Sequence, residues 1–303
     1  MDLTPINDTC FYFAAPVNMG YVRQGDKGML IDAGIDDSVM RKALKQLKDQ
    51  DLPITHLFIT HAHADHYGGA HFLQKRHDIH TIAPMFEVAI LTNPAVEPLY
   101  LFGGNDPLPE LYNKFLQGRP IHISETIDEG RYERDGFSFT AHLLPGHSYY
   151  QLALEIDGIL YAGDSYFGAE QLYKHKIPYI TDADLTIKSL KKLEGLTCNG
   201  AVPGHGTFEV NFKETVAKNI AYHESLLTWV HERVCAQSSG ITHETLVAEM
   251  CNNYGIGSSA LSQWLLFRTA ATAYIIGLIK QEKVVHEIRG NKWVFKAFRN
   301  KKT

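Results

Sequence analysis

The stretch Thr60-His61-Ala62-His63-Ala64-Asp65-His66-Tyr67-Gly68-Gly69, THAHADHYGG, places three histidines and an aspartate within six residues, directly after the apolar run Leu57-Phe58-Ile59. Side chains crowded this closely compete for the same protons and waters unless a common partner holds them. A divalent cation is such a partner, because imidazole and carboxylate are its ordinary ligands. One cluster supplies only part of a site, so the remaining ligands must come from elsewhere in the chain.

Three more residues of the right type stand in the right kind of place. His147 lies in LLPGHSYYQ, Asp164 in ILYAGDSYF and His205 in AVPGHGTF. Each follows an apolar run that reads as a strand, and each is preceded by glycine. A rigid sheet aims side chains at its strand ends, where loops leave room for a ligand. Taken singly, an Asp after Gly is a common turn residue and a His after Pro-Gly is a polar strand end. Together His61, His63, Asp65, His66, His147, Asp164 and His205 offer five imidazoles and two carboxylates, a donor set that suits zinc.

Working outward, strand-like runs cover residues 10–17, 20–23 and 28–32. A helix fits residues 37–49, with Met40, Leu44 and Leu47 on one face. Residues 54–60 read as a buried strand and 69–76 as a short helix. Residues 94–109, rich in Pro, Gly and Asn and carrying Leu99, Tyr100, Leu101 and Phe102, read as a long loop of the kind that forms lids. Residues 121–167 are mostly strand-like, with turn signals at Asp135-Gly136 and Asp157-Gly158. A helix at 182–193, a strand at 200–202 and a long helix at 213–236 complete a layered α/β pattern.

After Ser238-Ser239-Gly240 the character changes. Thr242 is placed to cap a helix, a second helical stretch runs over 258–282, and strands at 284–289 and 292–297 meet at Gly290-Asn291. Helices followed by a hairpin outline a winged helix, giving two expected domains, 1–238 and 239–303. The apolar face Leu265, Ala273, Ile276 and Ile279 requires a covering surface, for which a second copy of the chain is one candidate.

Composition sets the outer limits. The 303 residues carry a net charge of −5, so the whole chain makes no electrostatic case for nucleic acid. The start MDLTPINDTCFYF lacks a basic segment followed by an apolar core, and no run has the length of a membrane span. The expectation is a cytoplasmic protein with reduced thiols. Cys10, Cys198, Cys235 and Cys251 show no metal-binding spacing and receive no role.

The pattern His-x-His-x-Asp-His followed by a later His, Asp and His resembles the metallo-β-lactamase superfamily. Residues 29–34, MLIDAG, are similar to that family's early motif, whose aspartate, here Asp32, braces the metal loop. The resemblance covers about residues 8 to 236 and implies an αββα sandwich of two βα halves. It implies two zinc ions, one on His61, His63 and His147, the other on Asp65, His66 and His205, with Asp164 bridging. Flavodiiron-type relatives carry Glu at the second ligand position, so His63 favours zinc, with iron or manganese as alternative occupants.

Two such cations would lower the pKa of a shared water, and the expected enzyme is a zinc-dependent hydrolase using a metal-bridging hydroxide, with Asp65 orienting it. A small-molecule ester, thioester, lactone or lactam is the expected substrate. Tyr67, Tyr149, Tyr166 and Phe167 adjoin ligands and are the candidate substrate contacts. The alternative is a metal-dependent nuclease or phosphodiesterase acting on RNA or DNA. Lys283, Arg289, Lys292, Lys296, Arg299, Lys301 and Lys302 against Glu287 alone give the tail a basic wing that suits phosphate.

Overall fold

In the computed structural model, which describes residues 1–257 and 259–298, two sheets pack face to face between helices. The first sheet has seven strands in sequence order: β1 (Leu3–Pro5), β2 (Cys10–Phe13), β3 (Met19–Gln24), β4 (Lys27–Ile31), β5 (His56–Phe58), β6 (His80–Pro84) and β7 (Glu125–Ile127). Pairing is antiparallel from β1 to β4 and parallel from β4 to β7. The second sheet runs β12-β11-β10-β9-β8, from β8 (Gly130–Arg134), β9 (Phe137–Leu143), β10 (Leu152–Ile156) and β11 (Ile159–Gly163) to β12 (Gly200–Pro203), with only β11 and β12 parallel.

Strand side chains alternate between faces, so each sheet needs two covered sides. Met29, Ile31, Phe58 and Ile82 of the first sheet meet Phe137, Phe139, Leu154 and Tyr161 of the second in the central layer. Outside the first sheet lie helix α1 (Asp37–Asp49), the one-turn α2 (Ala64–Tyr67) and α3 (Ala70–Gln74); Met40, Ala43, Leu47 and Leu73 pack there with Leu30 and Leu57. Leu44 is partly buried against the same core. Asp36 caps α1 by accepting from Ser38 N and Val39 N at 3.0 and 3.1 Å.

Two short helices, α4 (Val88–Thr92) and α5 (Val96–Leu101), follow β6. Beyond the second sheet, α6 (Ala169–His175) precedes α7 (Ala183–Gly195) and the long α8 (Phe212–Cys235), whose Phe212, Val216 and Ile220 cover Leu160 and Ala201. The layer order is αββα, as expected.

The turn signals act as anticipated: Asp135-Gly136 and Asp157-Gly158 take positive φ at both central positions, the left-handed pair that a two-residue hairpin requires. Residues 94–109 depart from the expected loop. Val96–Leu101 coils into α5 because Leu101 is buried against Leu111, Leu116 and Leu265, and that burial outweighs the local Pro and Gly content. Leu99 and Tyr100 remain 40% exposed. The helix α6 likewise lay outside the sequence pattern.

The segment after residue 238 contains a short strand β13 (Ile241–Thr242), helices α9 (His243–Asn253) and α10 (Leu261–Lys280), and the hairpin of β14 (Val284–Arg289) and β15 (Lys292–Ala297). Thr242 caps α9 through Thr245 N. Leu246, Met250, Tyr274 and Phe295 share one apolar core with Ile187, Leu226 and Val230 of α7 and α8. The apolar face of α10 is therefore covered within the chain: Leu265 and Ala273 are buried, with Ile276 and Ile279 partly so. Lys280 of α10 also ion-pairs with Asp182, the residue that caps α7. Arg299, Lys301 and Lys302 of the expected basic wing, and Ser258, lie outside the described residues.

Candidate metal centre

All seven side chains singled out by the sequence come together at one edge of the sandwich. The 61–66 loop leaves β5, His147 follows β9, Asp164 follows β11 and His205 follows β12, so four strand ends of two sheets aim at one point. Donor atoms of His61, His63 and His147 lie within 4.8 Å of one another, and so do those of Asp65, His66 and His205; His61, His66 and Asp164 form a third such group. Asp164 touches both sides. Its Oδ2 is 3.4 Å from His147 Nε2 and 3.3 Å from His205 Nε2, and its Oδ1 is 3.2 Å from His66 Nε2.

The outer nitrogens decide what the inner ones present. His66 Nδ1 donates to Asp32 Oδ2 at 2.7 Å, His147 Nδ1 to the Tyr179 carbonyl at 2.9 Å and His205 Nδ1 to the Pro16 carbonyl at 2.9 Å. His61 Nδ1 faces Thr60 Oγ1 at 3.0 Å, and that hydroxyl spends its proton on Asp32 Oδ2. In the neutral rings each outer nitrogen carries the hydrogen, which leaves the Nε2 lone pair directed inward. His63 Nδ1 meets two such nitrogens, His61 Nε2 at 3.0 Å and His147 Nε2 at 2.9 Å. His66 Nε2 and Asp164 Oδ1 are buried and face each other at 3.2 Å, but neither makes a hydrogen bond. Converging ring nitrogens and buried acceptors without a hydrogen bond are the chemistry that a divalent cation satisfies.

Electrostatics divide the cluster. Burial lowers His63 to about 4 and His147 to about 3, and it lowers His61 well below the usual imidazole range with help from the neighbouring rings. Burial would also lower His66 and His205, but Asp164, Asp32 and Asp65 raise His66 well above its ordinary value, and Asp164 and Asp65 push His205 up to about 10. Burial works against ionising Asp164 and Asp65; the imidazoles overcome it, holding Asp164 well below the carboxylate range and Asp65 at about 2.

Supporting residues hold this geometry. Asp32 accepts from Thr60 N at 2.8 Å as well as from Thr60 Oγ1 and His66, and does so at φ +63°, a left-handed conformation held at a functional edge. Gly204 admits the approach of Asp164: a Cβ there would stand 2.1 Å from Oδ1. Several supports carried no sequence signal. Buried Glu87 accepts from Ala62 N, Ser148 Oγ and Tyr150 N, pinning the first ligand loop to that of His147. Asn18 donates to the Pro203 and Gly206 carbonyls on either side of His205, and Gln151 Oε1 accepts from Asp164 N. Each is a lone polar residue whose partners are far off in sequence, so no spacing betrays it.

The aromatic candidates separate. The Phe167 ring lies 5.8 Å from that of His147 and 5.6 Å from that of His205. Tyr149 is 65% exposed and packs against Phe86 at 4.6 Å. Tyr67 and Tyr166 are enclosed in the outer apolar layers, Tyr67 accepting from Gly118 N, and neither reaches the opening as the sequence led one to expect. Two unanticipated rings do: Tyr179 is 5.3 Å from His63 and 5.7 Å from His147, and His175 is 5.9 Å from His205.

A fold of two βα layers with a histidine-aspartate cluster at its open edge defines a class of metal-binding hydrolases. The chain belongs to the metallo-beta-lactamase superfamily, whose family model matches residues 13–205. It is 25% identical over 217 residues to a lactamase-like protein, adaB, of Aspergillus niger, covering 70% of this chain and 57% of that one. It is 26% identical over 208 residues to the thioesterase pkgB of Emericella nidulans, covering 67% of this chain and 50% of that one. The chain thus spans about half the length of these curated relatives. A beta-lactamase domain protein from Burkholderia ambifaria shares the fold, with a TM-score of 0.73 at 18% identity over 98% of this chain and 93% of that one. Members of the superfamily bind metal ions, and the histidine-aspartate groups here could hold one. Among the described residues no helix is long and apolar enough to cross a membrane.

Proposed function

We propose that His61, His63 and His147 hold one zinc ion, that Asp65, His66 and His205 hold a second, and that Asp164 is shared between them in a hydrolase for small acyl substrates, thioesters foremost and oxygen esters, lactones or lactams next. The observation that carries this reading is the convergence of the ring nitrogens and carboxylate oxygens on one point, with the outer ring nitrogens committed to Asp32, Thr60, Tyr179 and Pro16. Two divalent cations, when bound, supply Lewis acidity and bring a water's pKa down towards neutrality. Asp65, whose side chain is 29% accessible, stands at the solvent side and accepts a hydrogen bond from the attacking water, orienting it. Phe167 and Tyr179 exclude water from the flanks of the site, which strengthens every charge interaction within it.

A thioester is favoured because a named relative over two thirds of this chain is a thioesterase. We read residues 1–238 as the catalytic unit and 239–303 as a winged-helix-like unit that walls the site. Nucleic-acid cleavage gains little support: on the basic hairpin Glu287 engages Lys296 at 2.8 Å and Arg289 at 3.6 Å, so part of its charge is neutralised locally. The test is elemental analysis after zinc loading, together with a cleavage screen of acyl thioesters, esters, lactones, lactams and RNA. About two zinc ions per chain and turnover of an acyl substrate are expected; fewer than one ion per chain, or cleavage confined to RNA, defeats the proposal.

A further inference from the structure

A cleft of about 380 Å³ opens between α6 with the loop after it and the C-terminal helices, a volume within the range of small-ligand pockets. Its walls include His175 and Tyr179, the two rings that also flank the histidine cluster, so the cleft adjoins the cluster. Beyond those two rings the lining is mixed: apolar Ile177 from one side, and Ile256, Leu266 and Phe267 with the polar Gln263 from the other. Ile256, Leu266 and Phe267 are only partly buried, which leaves apolar surface facing the open space. Among the described residues no carboxylate lines the cleft, and the charged groups there are Lys174 and Lys176, both exposed. Lys176 closes one end by donating to the Gly255 carbonyl at 2.8 Å.

We propose that this cleft receives the acyl arm of a linear substrate, an unbranched chain of medium length whose carbonyl lies over the histidine cluster and whose methylenes lie along Ile177, Ile256, Leu266 and Phe267. The inference rests on the hydrolase reading and narrows it, from acyl compounds in general to linear aliphatic ones. A compact bicyclic lactam has no arm to fill the apolar walls. The thiol half of a thioester is polar and gains little from them. Burial of each methylene is worth about a threefold to fourfold gain in affinity.

Hydrolysis of N-acetylcysteamine thioesters with acyl chains from butanoyl to decanoyl, by the zinc-loaded full chain, provides one arm of the test. KM is expected to fall roughly threefold per added methylene until the cleft is full. In Leu266→Trp, and independently in Ile256→Trp on a different element, the decanoyl-to-butanoyl KM ratio should collapse towards one. Calorimetric titration of decanoate into the metal-free chain, with circular dichroism as the check on folding, is the second arm; binding weakened at least tenfold in both variants is expected. Turnover with a KM indifferent to acyl length, or one that follows a change of thiol from N-acetylcysteamine to coenzyme A, overturns the cleft assignment and leaves the hydrolase reading standing. Decanoate binding that both variants abolish, with no ester or thioester turned over, supports the cleft and removes the hydrolase reading instead.

Discussion

In the triad of His61, His63 and His147, burial sets the state of every ring, with His63 lowered to about 4 and His147 to about 3; in the triad of Asp65, His66 and His205, carboxylates set it, with His205 raised to about 10. The same side-chain type is thus held neutral on one side and poised to keep positive charge on the other. The difference comes from neighbours rather than exposure, since His61 and His66 are both fully buried. On one side a ring sees mainly other rings and Tyr179; on the other it sees Asp32, Asp65 and Asp164. A site made this way offers neutral lone pairs and negative charge side by side, and Asp164 is the group that belongs to both.

The largest expected effect comes from breaking that shared group. Asp164→Ala should lower turnover by about a thousandfold or more and drop the zinc content below two per chain, with circular dichroism unchanged. Retained activity would show that the two triads do not depend on a common carboxylate. Asp65→Asn should cost about a hundredfold in kcat, because the amide neither binds metal well nor accepts a proton from water. A variant with normal kcat would move the orienting role to another residue. Asp32→Asn probes the support instead of the site: zinc affinity, read by competition with a chromophoric chelator, should fall about tenfold to a hundredfold as the pair of oxygens that serves Thr60 and His66 is reduced to one and its charge is lost.

The smallest effect lies behind the cluster, at a histidine that is not one of the seven. His223 is buried, bonds Tyr274 Oη at 2.8 Å between α8 and α10, and is lowered to about 4 by burial and then by His147. Its unfolded value is near 6.5, so below that pH the unfolded chain binds the proton first. The contribution to stability is complete above about pH 6.5 and is lost as pH falls towards 4. Urea midpoints at pH 7.5 and pH 5 should therefore differ less in His223→Gln than in the unaltered protein. An equal or larger drop in the variant would place the acid-sensitive group elsewhere.

The hairpin turns and the layered α/β pattern were legible because their signals are local: Asp-Gly pairs between apolar runs, and strand and helix periods that keep to one face; the αββα order came from the family resemblance. The seven clustered side chains were legible for a related reason: four fall in one short run after an apolar strand, and the other three each follow a further strand within a few residues. Helix α5 was not, because Leu101 becomes a core residue only when Leu265, distant in sequence, arrives to cover it. The same holds for Tyr67 and Tyr166, whose nearness to the cluster in sequence says nothing about which side of the backbone their rings occupy. Glu87, Asn18 and Gln151 were invisible because a single buried polar residue acquires meaning only from the groups it bonds.

By itself, then, the sequence determined which residues stand at strand ends, where hairpins turn and which types of donor are available, since these follow from period, turn chemistry and spacing along the chain. Tertiary structure alone decided that the Tyr179 and Pro16 carbonyls hold the outer nitrogens of His147 and His205, that Glu87 ties two ligand loops together, and that α10 closes on α7 and α8 to leave a cleft beside the cluster. The physical reason is that lone-pair direction, burial and charge proximity depend on distances between segments of the chain that only folding brings together.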